Sequence, residues 1–201
     1  MKFLLLHISF EKRLSRLIEK LEKALHQSHD DDDRVVLFST GSILHLRNQT
    51  KIAEFRKRDE LELTESLLTL SEKFNCTFIV APIVLKRGKV VRAFSLVVSP
   101  NNVERIESPY YALMNGRHKV KTEPLNLGNI KVSIIIDEDI YLPELSVIHT
   151  INNRRRILLF FPGIGLNYES YIKMFEARIL ENKAPGIFVG GIVNVGHDIL
   201  V

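Results

Sequence analysis

Cysteine is almost absent from this chain, and the one present, Cys76, can form no internal disulfide and cannot anchor a Cys-rich metal site. Long apolar runs are missing too. The longest, Phe78 to Leu85, contains a proline and is less than half the length that crosses a bilayer, so no transmembrane helix is expected. The opening Met-Lys-Phe-Leu-Leu-Leu-His resembles the start of a secretory signal, but His7, Glu11, Lys12 and Arg13 interrupt it, and it reads as a first strand. A cytoplasmic location is the expectation. Internal repeats and domain linkers are also lacking, which leaves one domain spanning residues 1–201.

Charge of one sign is not in large excess. The 28 lysines and arginines against 24 acids give a net charge of +4, with no aromatics interleaved among the bases of Arg154, Arg155 and Arg156. That pattern argues against a nucleic-acid surface. The arginine triplet and the acidic run Asp30 to Asp33 read as solvated loops beside strands.

What is present is an alternation of strand and helix signals. Residues 2 to 7 suit a buried strand. Leu14, Leu17, Ile18, Leu21, Ala24 and Leu25 then follow helical spacing. Val35 to Phe38 suits an interior strand, and Leu63, Leu67, Leu70 and Phe74 share one face of a helix over Glu62 to Phe74. Thr77 to Leu85 and Val90 to Val98, joined through Gly88, predict an antiparallel hairpin. Residues 99 to 128 read mostly as loop, with a short strand at Val103 to Ile106.

Val132 to Ile136 and Ile157 to Phe161 predict buried strands, and Pro143-Glu144 a helix start. Tyr168 to Asn182 predicts a helix turning Tyr171, Ile172, Phe175, Ile179 and Ala177 inward, and Ile187 to Val195 a further strand. The hairpin makes the sheet arrangement mixed, and apolar strands need cover on both faces.

Three segments carry a family likeness. The most specific is Ile134-Ile135-Ile136-Asp137-Glu138-Asp139-Ile140-Tyr141-Leu142-Pro143-Glu144. The second is Glu176-Ala177-Arg178-Ile179-Leu180-Glu181-Asn182, followed by Phe188 to Gly196. The third is Val35 to Gly41. In this order they resemble the nitrilase, or carbon-nitrogen hydrolase, superfamily. Its nucleophile segment runs apolar strand, Cys-Tyr-Asp, three residues, Pro-Glu; its helix ends Ala-Arg-Ala-x-Glu-Asn; and an earlier strand ends in Pro-Glu.

The resemblance implies an α-β-β-α sandwich of two mixed sheets flanked by helices, shortened at the C-terminal end. It places Asp137 where the family has its nucleophilic cysteine, and Thr40 where it has the glutamate base. Ala112, after Tyr110-Tyr111, falls at the lysine position, with Lys119 or Lys121 as candidates to reach the same volume. A carboxylate attacking an amide must expel a strongly basic amine, and a threonine is no base near neutral pH. The resemblance therefore implies the scaffold without the hydrolase activity, a module that binds a small ligand or a protein partner. The alternative is a divergent hydrolase using Asp137 with one of those lysines or a metal.

By the same resemblance the chain would form a homodimer through Pro143 to Thr150 and Tyr168 to Asn182. No cofactor is implied. A metal at Asp137, Glu138 and Asp139 is not expected, because an extended segment lets only Asp137 and Asp139 converge. Cys76 reads as a buried structural thiol, His118 as part of a basic loop, and Gly163-Ile-Gly165 as a turn.

Overall fold

The computed structural model describes residues 1–6, 14–28, 33–39, 57–87, 89–117, 123–143, 156–163 and 168–190. Two sheets form in succession. The first has the order β1 (Lys2–Leu5), β2 (Arg34–Ser39), β3 (Cys76–Arg87), β4 (Val90–Ser99) and β5 (Asn102–Glu107). Its first three strands are parallel and the last two pairings antiparallel. The second sheet orders β6 (Leu125–Leu127), β7 (Ile130–Ile136), β8 (Arg156–Phe161) and β9 (Gly186–Phe188), with β6 antiparallel and the others parallel. Both sheets are mixed, the first through the β3–β4 hairpin and the second through the antiparallel β6.

Strand periodicity sorts the side chains into layers. Along β2, Val36 and Phe38 face one way, into a core with Leu17, Leu21 and Leu25 of α1 (Leu14–Gln27) and Leu63, Leu67 and Leu70 of α2 (Lys57–Phe74). Val35 and Leu37 face the other way and meet Val132, Ile136, Leu159 and Phe161 of the second sheet. The second sheet's outer face, Ile135, Leu158 and Phe160, packs on Tyr171 and Phe175 of α4 (Tyr168–Asn182). Helix, sheet, sheet and helix thus stack in four layers. In β3 the facing residues change parity between Val80 and Ile83, at a register shift that includes Pro82. A bulge takes up the extra residue, and proline is tolerated there.

Polar clips hold the helix ends. Arg34 donates to the carbonyls of Ser28 and Phe74, at 2.9 and 3.2 Å, and so ties the C-terminal ends of α1 and α2 to β2. Glu60, buried at the start of α2, pairs with Arg105 of β5. No helix among the described residues is long and apolar enough to cross a membrane.

Several sequence expectations need correction. The strand expected at Val103 to Ile106 is present as β5, but the rest of 99–128 is more ordered than a loop, with a short helix α3 (Pro109–Met114) and β6. Residues after Ile136 are not extended, because Asp137–Tyr141 form a 3-10 helix. Arg156 is no solvated loop residue; it opens β8 at 4% exposure. In α4 the inward positions are Tyr171, Phe175, Arg178 and Asn182, with Ile179 packed against the same core as expected and Ile172 and Ala177 only partly covered. The last strand starts one residue earlier than expected and ends at Phe188; positions 191–195 lie outside the described residues. The helix expected after Pro143 falls outside them beyond that residue.

Candidate functional site

The site forms where β7 ends. Ile136 is the last strand residue, and Asp137 then adopts a φ of 49°, a left-handed conformation that aspartate tolerates better than most residues. The chain turns sharply there into the 3-10 helix. This presents the Asp137 side chain at the carboxyl ends of β7 and β8, where Gly163 follows two residues after the end of β8. A Cβ on Gly163 would collide with the Asp137 carboxylate. Only glycine lets the backbone pass so close.

Two tyrosines from distant elements close over that carboxylate. Tyr111 of α3 donates its hydroxyl to Oδ2 at 2.9 Å, and Tyr171 of α4 donates to Oδ1 at 2.8 Å. Asp137 is 4% exposed, with both oxygens occupied. Burial, then the negative charge of Asp137, raises both phenol pKa values, so the tyrosines remain donors at any ordinary pH.

Asp139 plays a different part. Its Oδ1 accepts from the Ser108 hydroxyl at 2.7 Å and the Tyr110 amide at 2.9 Å, and its Oδ2 from the Ile136 amide at 3.2 Å. Ser108 is the N-cap of α3, accepting from the Tyr111 amide, and Pro109 follows in the first helical turn, where a missing N–H costs nothing. One carboxylate thus joins β7, the 3-10 helix and α3, and so positions the Tyr111 ring. Burial pushes the Asp139 carboxyl up to about 7, against three donors that pull it down. Glu138, between the two aspartates and only partly covered, is also raised, by burial and by Asp137. From the other side Arg178 Nε donates to the Ile140 carbonyl at 3.1 Å, and its Nη1 to Glu181 at 2.6 Å. The arginine of the Ala-Arg motif is therefore a clamp on the turn.

The structure brings Asp137, Glu138 and Asp139 into one turn, with the two aspartates facing different partners rather than a shared point. Ala112 lies buried in α3, beside the tyrosine that reaches Asp137. Thr40, Lys119, Lys121 and His118 lie outside the described residues. Cys76 sits in the core beneath α1 and α2, where burial pushes its thiol up to about 11, the state of an inert core residue. Sequence reasoning missed Ser108, Tyr111, Tyr171 and Gly163 as parts of the site. Ser108-Pro109 was a readable helix start, and Gly163 a readable close approach after a strand. Nothing local marked the tyrosines as partners of Asp137.

No protein-family model matches the chain, and no curated protein does. Solved structures do. A CN-hydrolase superfamily protein from Xanthomonas campestris, with an arsenic adduct in its active site, has a TM-score of 0.64 at 12% identity, covering 92% of this chain and 74% of that one. A Saccharomyces cerevisiae member of branch 10 of the nitrilase superfamily has 0.65 at 15% identity, with 97% and 77% covered. A mutant of an amidase from Nesterenkonia sp., in complex with acrylamide, has 0.68 at 11% identity, with 94% and 75% covered. Similarity at these identities is similarity of fold.

Proposed function

We propose that this chain, which carries the nitrilase-superfamily fold, is a binding or interaction module without amidase or nitrilase activity. The observation that supports this most is the state of Asp137. At the position where the sequence resemblance places a nucleophile stands a carboxylate, 4% exposed, with each oxygen engaged by a tyrosine hydroxyl. A nucleophile needs a free lone pair and an approach path, and it needs a base. Here each oxygen accepts a tyrosine hydroxyl and burial closes the approach, and Thr40 stands at the base position of the resemblance.

The remaining chemistry suits retention more than attack. The tyrosines hold the carboxylate in place, Arg178 holds the turn, and Asp139 holds α3. The scaffold keeps the architecture of a reaction centre with its reactive group tied down.

The competing reading, a divergent hydrolase, draws on the same turn: Asp139, pushed up to about 7, has the poise of a general acid or base. One experiment separates the two. The purified chain is incubated with short amides, carbamoyl compounds and nitriles, following ammonia release and intact mass. We expect no turnover and no adduct. Asp137→Cys alone should give little rate, because catalytic groups that act as a unit are strongly non-additive; Asp137→Cys with Thr40→Glu should give more. Turnover abolished in Asp137→Asn, or an acyl adduct on any residue, would establish the hydrolase.

The module is proposed to work as a homodimer in the cytoplasm. The face offered for pairing includes α4 and the 3-10 helix, where Leu180 is 77% and Tyr141 47% exposed. Apolar side chains this open favour a covering partner.

A further inference from the structure

At the opposite end of the second sheet from Asp137, a guanidinium is buried without a partner. Arg156 opens β8 at 4% exposure, and its Nε, Nη1 and Nη2 are all enclosed with no hydrogen-bond acceptor among the described residues. The other buried arginine among the described residues is not left this way: Arg178, at 6% exposure, reaches a carbonyl and a carboxylate. Five N–H donors in a low-dielectric interior carry a heavy desolvation cost unless something accepts them.

A second cation adjoins the first. β7 and β8 run parallel in register, with Lys131 opposite Arg156, Ser133 opposite Leu158 and Ile135 opposite Phe160. Register partners share a face, and this face is the one on which Leu158, Phe160 and Ile135 pack toward α4. Like charges directly opposite on neighbouring strands repel. Burial pushes the Arg156 guanidinium down to about 10, still protonated at neutral pH.

We propose that Arg156, with Lys131 beside it, is the receptor of a small oxyanion, a phosphate or a carboxylate. The geometry of the guanidinium selects this class: its planar fork matches two oxygens of one group, which a halide cannot offer. A bridging oxyanion also relieves the repulsion between Arg156 and Lys131. The site lies at the amino ends of the parallel strands, away from Asp137, Glu138 and Asp139, so their negative charge does not compete for it. It does not depend on whether the chain hydrolyses anything.

The test is thermal unfolding of the full chain, with sodium chloride replaced at constant ionic strength by inorganic phosphate or by acetate. Wild type should gain roughly 3–6 °C at ten times the dissociation constant of the preferred anion. Whichever of the two gives the larger gain identifies the ligand as phosphate-like or carboxylate-like. Arg156→Met should lose the gain and, in chloride, melt at or above wild type, because a buried orphan charge has been removed. Lys131→Ala, which leaves Arg156 in place, should weaken the gain without abolishing it. The proposal is overturned if wild type responds to neither anion, or if Arg156→Met responds equally, which is a general salt effect. It is also overturned if Arg156→Met is less stable than wild type or unfolded in chloride, since Arg156 then has an internal partner.

Discussion

Asp139 is held by three donors, two from the start of α3 and one from the end of β7, and yet burial pushes its carboxyl up to about 7. A carboxyl raised in the folded state binds a proton there that the unfolded chain has already released. Its contribution to stability is complete below the unfolded value near 4 and is lost as pH rises through about 7. Stability should therefore fall across that window by at most about 1.4 kcal/mol per pH unit from this group. Chemical denaturation of wild type and Asp139→Asn from about pH 4 to about pH 9 should give a difference curve with that sign, flat above about pH 8. The asparagine variant should be less stable overall, because its amide would face the Ile136 N–H as a second donor. A difference curve that rises with pH would mean that the three donors, not burial, set the group's affinity. Glu138 adds a slope of the same sign in both proteins and cancels in the difference.

Among elements, the close approach of β8's exit to the 3-10 helix is the tightest fit in the site. Gly163→Ala should cost about 1–3 kcal/mol, as overpacking does. The cost should shrink when Asp137→Gly removes the atoms that the new methyl meets, and glycine suits the positive φ there. A double-mutant cycle should give a coupling of about 1 kcal/mol or more; additivity within about 0.5 kcal/mol would place Gly163 elsewhere than against Asp137. At this scale the sequence was legible where periodicity spoke. The alternation in β2, the leucine spacing of α1 and α2 and the β3–β4 hairpin were all readable, because one buried face repeats at two or at 3.6 residues. α3 was not, since six residues are too short to show a period, and only Ser108-Pro109 announced it. The 3-10 helix after Ile136 hid for another reason: its direction follows from one positive φ, which an aspartate permits without demanding. The bonds from Tyr111 and Tyr171 to Asp137 span 26 and 34 residues of chain, and nothing local encodes them. Arg156 was misread because a run of three arginines suggests solvent, whereas the strand begins on the third.

For the whole molecule, four layers leave the outer helices as the faces on which further assembly can occur. If the homodimer forms through α4, multi-angle light scattering at micromolar concentration should give twice the 23.1 kDa of one chain. Leu180→Glu should shift it toward monomer, because the charge would be buried at the pairing surface without a partner. A monomer at all concentrations would remove the dimer. Gly186, where a Cβ would press on Phe175 and Ile179, fixes how closely α4 lies on the sheet, and so fixes the outer surface that α4 presents.

Among the described residues, the chain finishes the first sheet at Glu107 before it begins the second at Leu125, and the last strand of the second ends at Phe188. During synthesis at about 5–20 residues per second, the first half therefore waits roughly 4–16 s for its other side. Throughout that interval Val35, Leu37, Ile79, Ala81 and Val97 form a flat apolar face with nothing to lie on. A nascent chain arrested after β5 is the form most in need of a chaperone, and its burden ends when Val132, Ile136, Leu159 and Phe161 arrive to close the sandwich.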